Sequence, residues 1–365
     1  MNAARKPPYR VIDADGHVTE TPALYELWAS RLPPQYRSQA PGWREEADGT
    51  RRWMVEDKVW PNNPLDRVGQ YTKPEHMWAS REGEHDPHKR MPDMEFMGID
   101  VSVLYCSSVI HVPAIVEDPA LAAAVSRVYN DWIAEYCAAY PDRLKGIAMV
   151  PVQDPAEAAL ELRRAVKLGL VGALFPPLFG ATMLGSDYFH PIYAAAQEMN
   201  VPICIHTNTS LSPAKDLFDS FLLRHAYSSF PMMMALGSIV AGGVLDIFPR
   251  LRFAFLETGG GWVPYVMERI QDRASVLPKE VAGLKKTPAE YIKGDQLYYS
   301  VEPHELTAAM VAQIVGEERF VMGSDYAHWD GSSPESVRTV LGREDMSEGL
   351  KKKILSDNPS RLYNL

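Results

Sequence analysis

Val11-Ile12-Asp13-Ala14-Asp15-Gly16-His17 is the first apolar run of the chain, and the fold class turns on it. The run is rich in β-branched residues and ends in an Asp-x-His pair, so it predicts a buried strand over Arg10 to Ala14 with polar residues at its carboxyl end. Residues two apart in a strand point to the same side, so the Asp15 carboxylate and the His17 imidazole can converge on one cation. That is half a metal site, and the other half must come from elsewhere in the chain.

Seven further short apolar runs lie downstream: Val101 to Ser107, Leu144 to Pro151, Val171 to Pro176, Pro202 to Thr207, Leu251 to Glu257, Gln296 to Val301 and Arg319 to Ser324. Helical patterns lie between them, among them Pro119 to Tyr140, Pro155 to Leu168, Tyr188 to Asn200 and Met232 to Ile247, several starting near Pro, Asp or Ser. Repeated βα units predict a parallel sheet, and eight of them make an α/β protein of the (β/α)8 TIM-barrel class. The 365 residues fit one such domain, 1–365, with no internal repeat or low-complexity segment.

The rhythm breaks at residues 21–92, read as a long insertion after the first strand. It holds five of the eight tryptophans, Trp28, Trp43, Trp53, Trp60 and Trp78. A solvated linker has no use for them, so the insertion is expected to cap the catalytic face or to form an oligomer contact.

Composition excludes several classes of partner. Acidic and basic residues are interspersed, 47 against 37, for a formal charge of −10 with no Lys/Arg stripe, so neither nucleic acid nor an anionic membrane is an expected partner. Cys106, Cys137 and Cys204 sit apart in apolar contexts without C-x-x-C spacing, as reduced core residues of a cytoplasmic protein would. No apolar leader and no uninterrupted apolar span of about 18 residues is present, so a soluble protein is expected.

Active sites of this fold class collect at the carboxyl ends of the strands. Four runs end in metal-competent residues: Asp15 and His17, then His206, Glu257 and Asp325. His206 opens the polar segment Thr207-Asn208-Thr209-Ser210, and Asp325 is followed by His328, Trp329 and Asp330. Glu257 begins Glu-Thr-Gly-Gly-Gly-Trp, where glycines permit close backbone approach. That run lacks the spacing of either nucleotide-binding glycine motif, and no G-x-S-x-G elbow occurs.

These residues resemble the amidohydrolase superfamily, in the amidohydrolase-related branch that includes aminocarboxymuconate semialdehyde decarboxylase and resorcylate-type decarboxylases. The carriers are Val11 to His17, His190 to His206, Phe248 to Trp262 and Gly323 to His328. The resemblance implies a distorted TIM barrel and one divalent ion held by Asp15, His17, His206 and Asp325. Two departures stand out. The superfamily's usual His-x-His is Asp-x-His here, which brings Mn²⁺ and Fe²⁺ level with Zn²⁺. Where the branch's decarboxylases carry a catalytic His at the end of strand 6, this chain has Glu257-Thr258. No Lys ends the fourth run, so a carbamylated-lysine binuclear site is not expected, although a second ion held with Glu257 or His328 stays open.

The absent strand 6 His turns the expectation toward a metal-dependent hydrolase. A metal-activated water would attack an amide, ester, thioester, lactone or activated C–C bond; the resemblance implies that Asp325 would act as general base and then protonate the leaving group, with Glu257 or His328 relaying protons or binding substrate. Trp262, Trp329 and His225 are the substrate-contact candidates. The alternative is a nonoxidative decarboxylase of an aromatic or unsaturated acid, the ion chelating the carboxylate and an adjacent oxygen. Under either, the substrate is a small carbonyl- or carboxylate-bearing molecule. A silent binding barrel is disfavoured because every ligand position is filled, and a homo-oligomer is compatible with the exposed tryptophans expected in 21–92.

Overall fold

The computed structural model describes residues 6–20, 22–45, 49, 51–56, 58–59, 82–107, 109–110, 112–207, 221–328 and 331–365. Its first strand, β1 (Ile12–Val18), runs four residues past the expected end and is buried throughout, so Asp15 and His17 lie within the strand. The extension passes through an irregularity between Asp13 and Gly16, where the register against the neighbouring strand shifts. Gly16 permits it: a Cβ there would meet Ser102 Oγ at 2.5 Å and Asp13 Oδ2 at 2.6 Å. A strand carrying a bulge re-aims its side chains, which an alternation pattern does not reveal.

An antiparallel sheet comes next, formed by β2 (Gly42–Glu45), β3 (Arg51–Val55) and β4 (Lys58–Val59). The remaining strands are β5 (Val101–Cys106), β6 (Leu144–Gly146), β7 (Ala148–Met149), β8 (Ala173–Phe175), β9 (Ile203–His206), β10 (Phe253–Leu256), β11 (Leu297–Val301) and β12 (Phe320–Met322). Each expected run yields a strand, because strands covered on both faces read as continuous apolar stretches. They form two parallel sheets, in the orders β1-β5-β6 and β12-β11-β10-β9-β8-β7.

Two sets of backbone bonds connect the sheets. Between β6 and β7, Ile147 N–H donates to Leu104 O at 3.0 Å while the next residue, Ala148, donates to Gly172 O at 2.8 Å. At the opposite edges, Asp325 N–H donates to Asp15 O at 2.9 Å and His17 N–H to Tyr326 O at 2.5 Å.

Helix starts reflect a dipeptide used three times. Asp86, Asp118 and Asp154 each accept two backbone N–H bonds at a helix start, and Pro stands at the first helical position. One of these helices, Pro87–Met97, crosses the expected end of the insertion at residue 92. It carries Pro92 internally and ends at Gly98 in the left-handed conformation. The expected helix Met232 to Ile247 is two, Ser229–Ala241 and Val244–Ile247, parted where Gly242 lies so near Gly185 that a Cβ would meet Gly185 O at 2.4 Å.

Described parts of 21–92 put their tryptophans into the chain's own core. Trp28 is wholly buried and donates its indole N–H to Val125 O at 3.1 Å, on the helix Pro119–Ala138. Trp53 is buried, and Trp43 pairs with it across the small sheet. Trp60 and Trp78 lie outside the described residues. All three cysteines are free and buried, as expected.

Candidate metal centre

The expected ligands converge. Asp15 and His17 come from β1, His206 is the last residue of β9, and Asp325 lies three residues beyond β12. Exposure is 2% for Asp15, 0% for His17, 2% for His206 and 7% for Asp325, so the group is sealed from bulk water on the protein side. His17 Nε2 lies 3.5 Å from Asp15 Oδ1 and 3.3 Å from Asp325 Oδ1, and His206 Nε2 lies 3.4 Å from Asp15 Oδ1.

Glu257 joins this group. It comes directly after β10, and its Oε2 stands 3.1 Å from His206 Nε2. Both Glu257 (φ 58°) and Asp325 (φ 52°) have left-handed backbone, a conformation that costs a non-glycine residue about 1–3 kcal/mol and clusters at functional sites. His328 completes the arrangement: its Nδ1 is 2.6 Å from Asp325 Oδ1, and its ring stacks on His17 at 3.8 Å between centroids.

Hydrogen bonding fixes which imidazole nitrogen faces inward. His17 Nδ1 is 2.8 Å from Cys106 O and His206 Nδ1 is 3.1 Å from Thr207 O; carbonyls only accept, so both Nδ1 atoms carry the proton. The Nε2 lone pairs then point into the cluster, the arrangement in which histidine binds metal. His17 Nε2, His206 Nε2 and Asp15 Oδ1 are buried with no hydrogen-bond partner among the described residues. Buried polar atoms are nearly always paired, so three converging atoms without a hydrogen-bond partner fit a cation held between them. The donor set of imidazole nitrogens and carboxylate oxygens suits one divalent ion.

The electrostatics agree. Burial, reinforced by His328 and His206, holds the His17 imidazole well below its ordinary pKa, so it stays neutral. At His206 burial lowers the pKa, but the Asp15 and Glu257 carboxylates outweigh it and the result is raised. Burial and the neighbouring Asp325 push Glu257 well above the carboxylate range. Both raised values carry a contribution from crowded carboxylate charge, which a bound cation would offset.

Behind the cluster is a scaffold that the sequence did not expose. Arg90, wholly buried on the helix Pro87–Met97, donates to His17 O at 2.8 Å and to Tyr326 O at 3.3 Å, and its guanidinium lies 4.8 Å from the centre of the Tyr326 ring. Tyr326 donates its hydroxyl to Asp93 at 2.6 Å. Asp13 accepts from Ser102 Oγ at 2.9 Å and from Ser324 N and Oγ, both at 2.8 Å, joining β1 to β5 and to the segment after β12. From below, Tyr363 donates to Ala14 O at 2.7 Å and pairs with the Tyr105 hydroxyl at 2.8 Å.

Of the substrate-contact candidates, Trp262 is placed in the core rather than at the cluster. It is 7% exposed, donates its indole N–H to Gly259 O at 2.8 Å and packs edge-on against Phe255 and Tyr299. Packing drew it there: the glycine turn lets the helix Val263–Val276 lie close to the sheet. His225 is half-buried on the short helix Phe221–Ala226 and belongs to neither metal-competent group of the described residues. Trp329 lies outside the described residues.

The family model for amidohydrolases matches residues 12–365. The chain belongs to the amidohydrolase family. Within it, this amidohydrolase falls in the branch of the aminocarboxymuconate semialdehyde and resorcylate-type decarboxylases. It is 28% identical over 293 residues to γ-resorcylate decarboxylase of Rhizobium radiobacter, spanning 76% of this chain and 86% of that protein. Its fold matches an amidohydrolase from Mycobacterium avium subsp. paratuberculosis with a TM-score of 0.81 at 19% identity, over 98% of this chain and 100% of the other. It also matches 5-carboxyvanillate decarboxylase of Novosphingobium aromaticivorans, solved with manganese and 4-hydroxy-3-methoxy-5-nitrobenzoic acid, at a TM-score of 0.73 and 21% identity over 100% of this chain and 99% of the other.

These relatives overturn the expectation of a hydrolase. That reading rested on the His absent after β10, yet γ-resorcylate decarboxylase and 5-carboxyvanillate decarboxylase are carboxy-lyases, so one substituted residue carried more weight in it than a shared framework. Among the described residues no helix is long and apolar enough to cross a membrane.

Proposed function

We propose that this amidohydrolase is a metal-dependent nonoxidative decarboxylase of a small aromatic or unsaturated carboxylic acid. The observation that carries the reading is the convergence of inward-facing Nε2 atoms of His17 and His206 with the Asp15 and Asp325 carboxylates, in a chain related to γ-resorcylate decarboxylase. Asp15, His17, His206 and Asp325 hold one divalent ion, with manganese favoured by the carboxylate share of the set. When bound, that ion is a Lewis acid that anchors a substrate carboxylate and withdraws charge from it.

The chain's own residues supply the rest. Breaking the bond to the carboxylate carbon releases CO₂ and leaves an electron pair on the remaining carbon, which must take a proton. The His328–Asp325 pair, 2.6 Å apart, is placed to deliver it, and stacking on His17 holds the His328 ring beside the cluster. His225 and Trp262 are left out of this set. We further read the two parallel sheets as one distorted barrel of a single domain, closed by the Asp325–Asp15 and His17–Tyr326 backbone bonds, with 21–92 inserted after β1.

The test is elemental mass spectrometry on the wild type beside Asp15→Ala, His206→Ala and Asp325→Ala, with CO₂ release from a panel of hydroxybenzoates and unsaturated diacids. About one equivalent of metal, lost in the variants together with CO₂ release, is expected. A metal-loaded protein that releases no CO₂ but cleaves esters or amides defeats the proposal.

A further inference from the structure

Glu257 stands where the resemblance implies a catalytic histidine, and its geometry gives it a different surrounding. Its Oε2 is 3.1 Å from His206 Nε2, closer than the 3.4 Å from Asp15 Oδ1 to the same nitrogen. That nitrogen presents a lone pair, because the proton of the ring is on Nδ1 facing Thr207 O. At this distance the pair needs a proton or a cation between the lone pair and the carboxylate oxygen, and one cation would serve every such pair of the cluster at once. The same holds for Asp15 Oδ1 and Asp325 Oδ1 against His17 Nε2.

We propose that Glu257 is a fifth protein ligand of the ion, so that the centre is a set of three carboxylates and two imidazoles. The inference rests on the metal reading under Proposed function and deepens it. Ligand atoms bonded to one ion at about 2.1 Å stand about 3.0 Å apart at right angles and about 3.4 Å apart in a tetrahedron. The cross-cluster separations of 3.1, 3.3, 3.4 and 3.5 Å lie close to this range, and Glu257 contributes the shortest. A single ligand atom from Glu257 also lies within 4.8 Å of those of His17, Asp325 and His328. Its left-handed backbone, which glycine would adopt without strain, turns the Glu257 carboxylate toward His206.

A fifth ligand would have two effects. Three anionic oxygens make the set harder than two, so Mn²⁺ is favoured over Zn²⁺ more strongly than by Asp15 and Asp325 alone. A six-coordinate ion retains one open position for substrate instead of two.

The experiment is metal binding, independent of turnover. Stripped wild type, Glu257→Gln and Glu257→Asn are titrated with Mn²⁺ by electron paramagnetic resonance of the free ion, then with Zn²⁺ in competition, and the spectrum of bound Mn²⁺ is recorded. Asn tolerates the left-handed backbone and withdraws the oxygen, so it covers the case in which Gln misfolds; circular dichroism of the stripped proteins checks folding. The expected result is at least a tenfold loss of Mn²⁺ affinity in both variants, a smaller loss for Zn²⁺, and a changed bound-ion spectrum. Mn²⁺ affinity within about threefold of wild type, with an unchanged spectrum, overturns the assignment while leaving the four-ligand centre standing. Failure of the wild type to bind any metal defeats the centre itself.

Discussion

Replacing Arg90 with Met tests whether the metal centre depends on a residue that touches no substrate and no ligand side chain. Met keeps an apolar stem of similar reach but removes the donors to His17 O and Tyr326 O, at 2.8 and 3.3 Å, and the cation above the Tyr326 ring. His17 O is then a buried acceptor without its guanidinium donor, at a cost of about 1–3 kcal/mol. Tyr326 O retains the His17 N–H, so its loss is smaller. Loss of the ring contact in a dry setting adds about 1–2 kcal/mol. The sum, about 3 kcal/mol, is expected as a fall of several degrees in Tm of the stripped protein. Because the two carbonyls flank His17 and Asp325, Mn²⁺ affinity should also fall by about 10- to 100-fold, the scale typical of groups that orient metal ligands. Differential scanning calorimetry of stripped protein and Mn²⁺ titration read the two effects separately. If Arg90→Met melts and binds Mn²⁺ as the wild type does, the clamp has no role in holding the centre.

Gly323→Ala should perturb the centre from another side, since the added Cβ would meet the Asp15 Cβ at 2.7 Å; a stability loss of about 1–3 kcal/mol with weakened metal binding is expected from calorimetry and titration. Trp28→Ala removes a wholly buried indole and its bond to Val125 O, so urea unfolding should show a loss of about 3–5 kcal/mol with Mn²⁺ affinity of the folded protein unchanged. Chelation of the ion should lower Tm, and restoring Mn²⁺ to a hundred times its Kd should return about 2.7 kcal/mol, read by calorimetry across a concentration series.

The strands were legible because a buried parallel strand must be apolar along its whole length, and the ligands because polar residues ending such runs have few structural reasons to be there. Legibility failed where the structure departs from simple periods. The extension of β1 to Val18 depends on a register shift around Gly16, which alternation cannot signal. Arg90 and Asp93 look like solvated charges in a helix with polar neighbours, and only the fold shows that their partners are distant: Arg90 bonds a carbonyl 236 positions away. Trp262 comes after a glycine turn suited to either a ligand or a closely packed helix, and the latter prevailed. Reaction type was not legible at Glu257, because hydrolase and decarboxylase readings share the same expected ligands and only the relatives favour the carboxy-lyase.

The pairing of Ser324 with Asp13, 311 residues apart, has a consequence for synthesis. Asp15 and His17 leave the ribosome long before Asp325 does. With the ligands proposed above, no partial chain that stops short of Asp325 would present the complete donor set, so the full centre would form only when the last barrel strand is in place. An ion held there would clasp distant stretches of the polypeptide, beside the bond from Tyr363 to Ala14, so changes around Tyr363 should be felt at a centre whose first proposed ligands lie more than three hundred positions away in the chain.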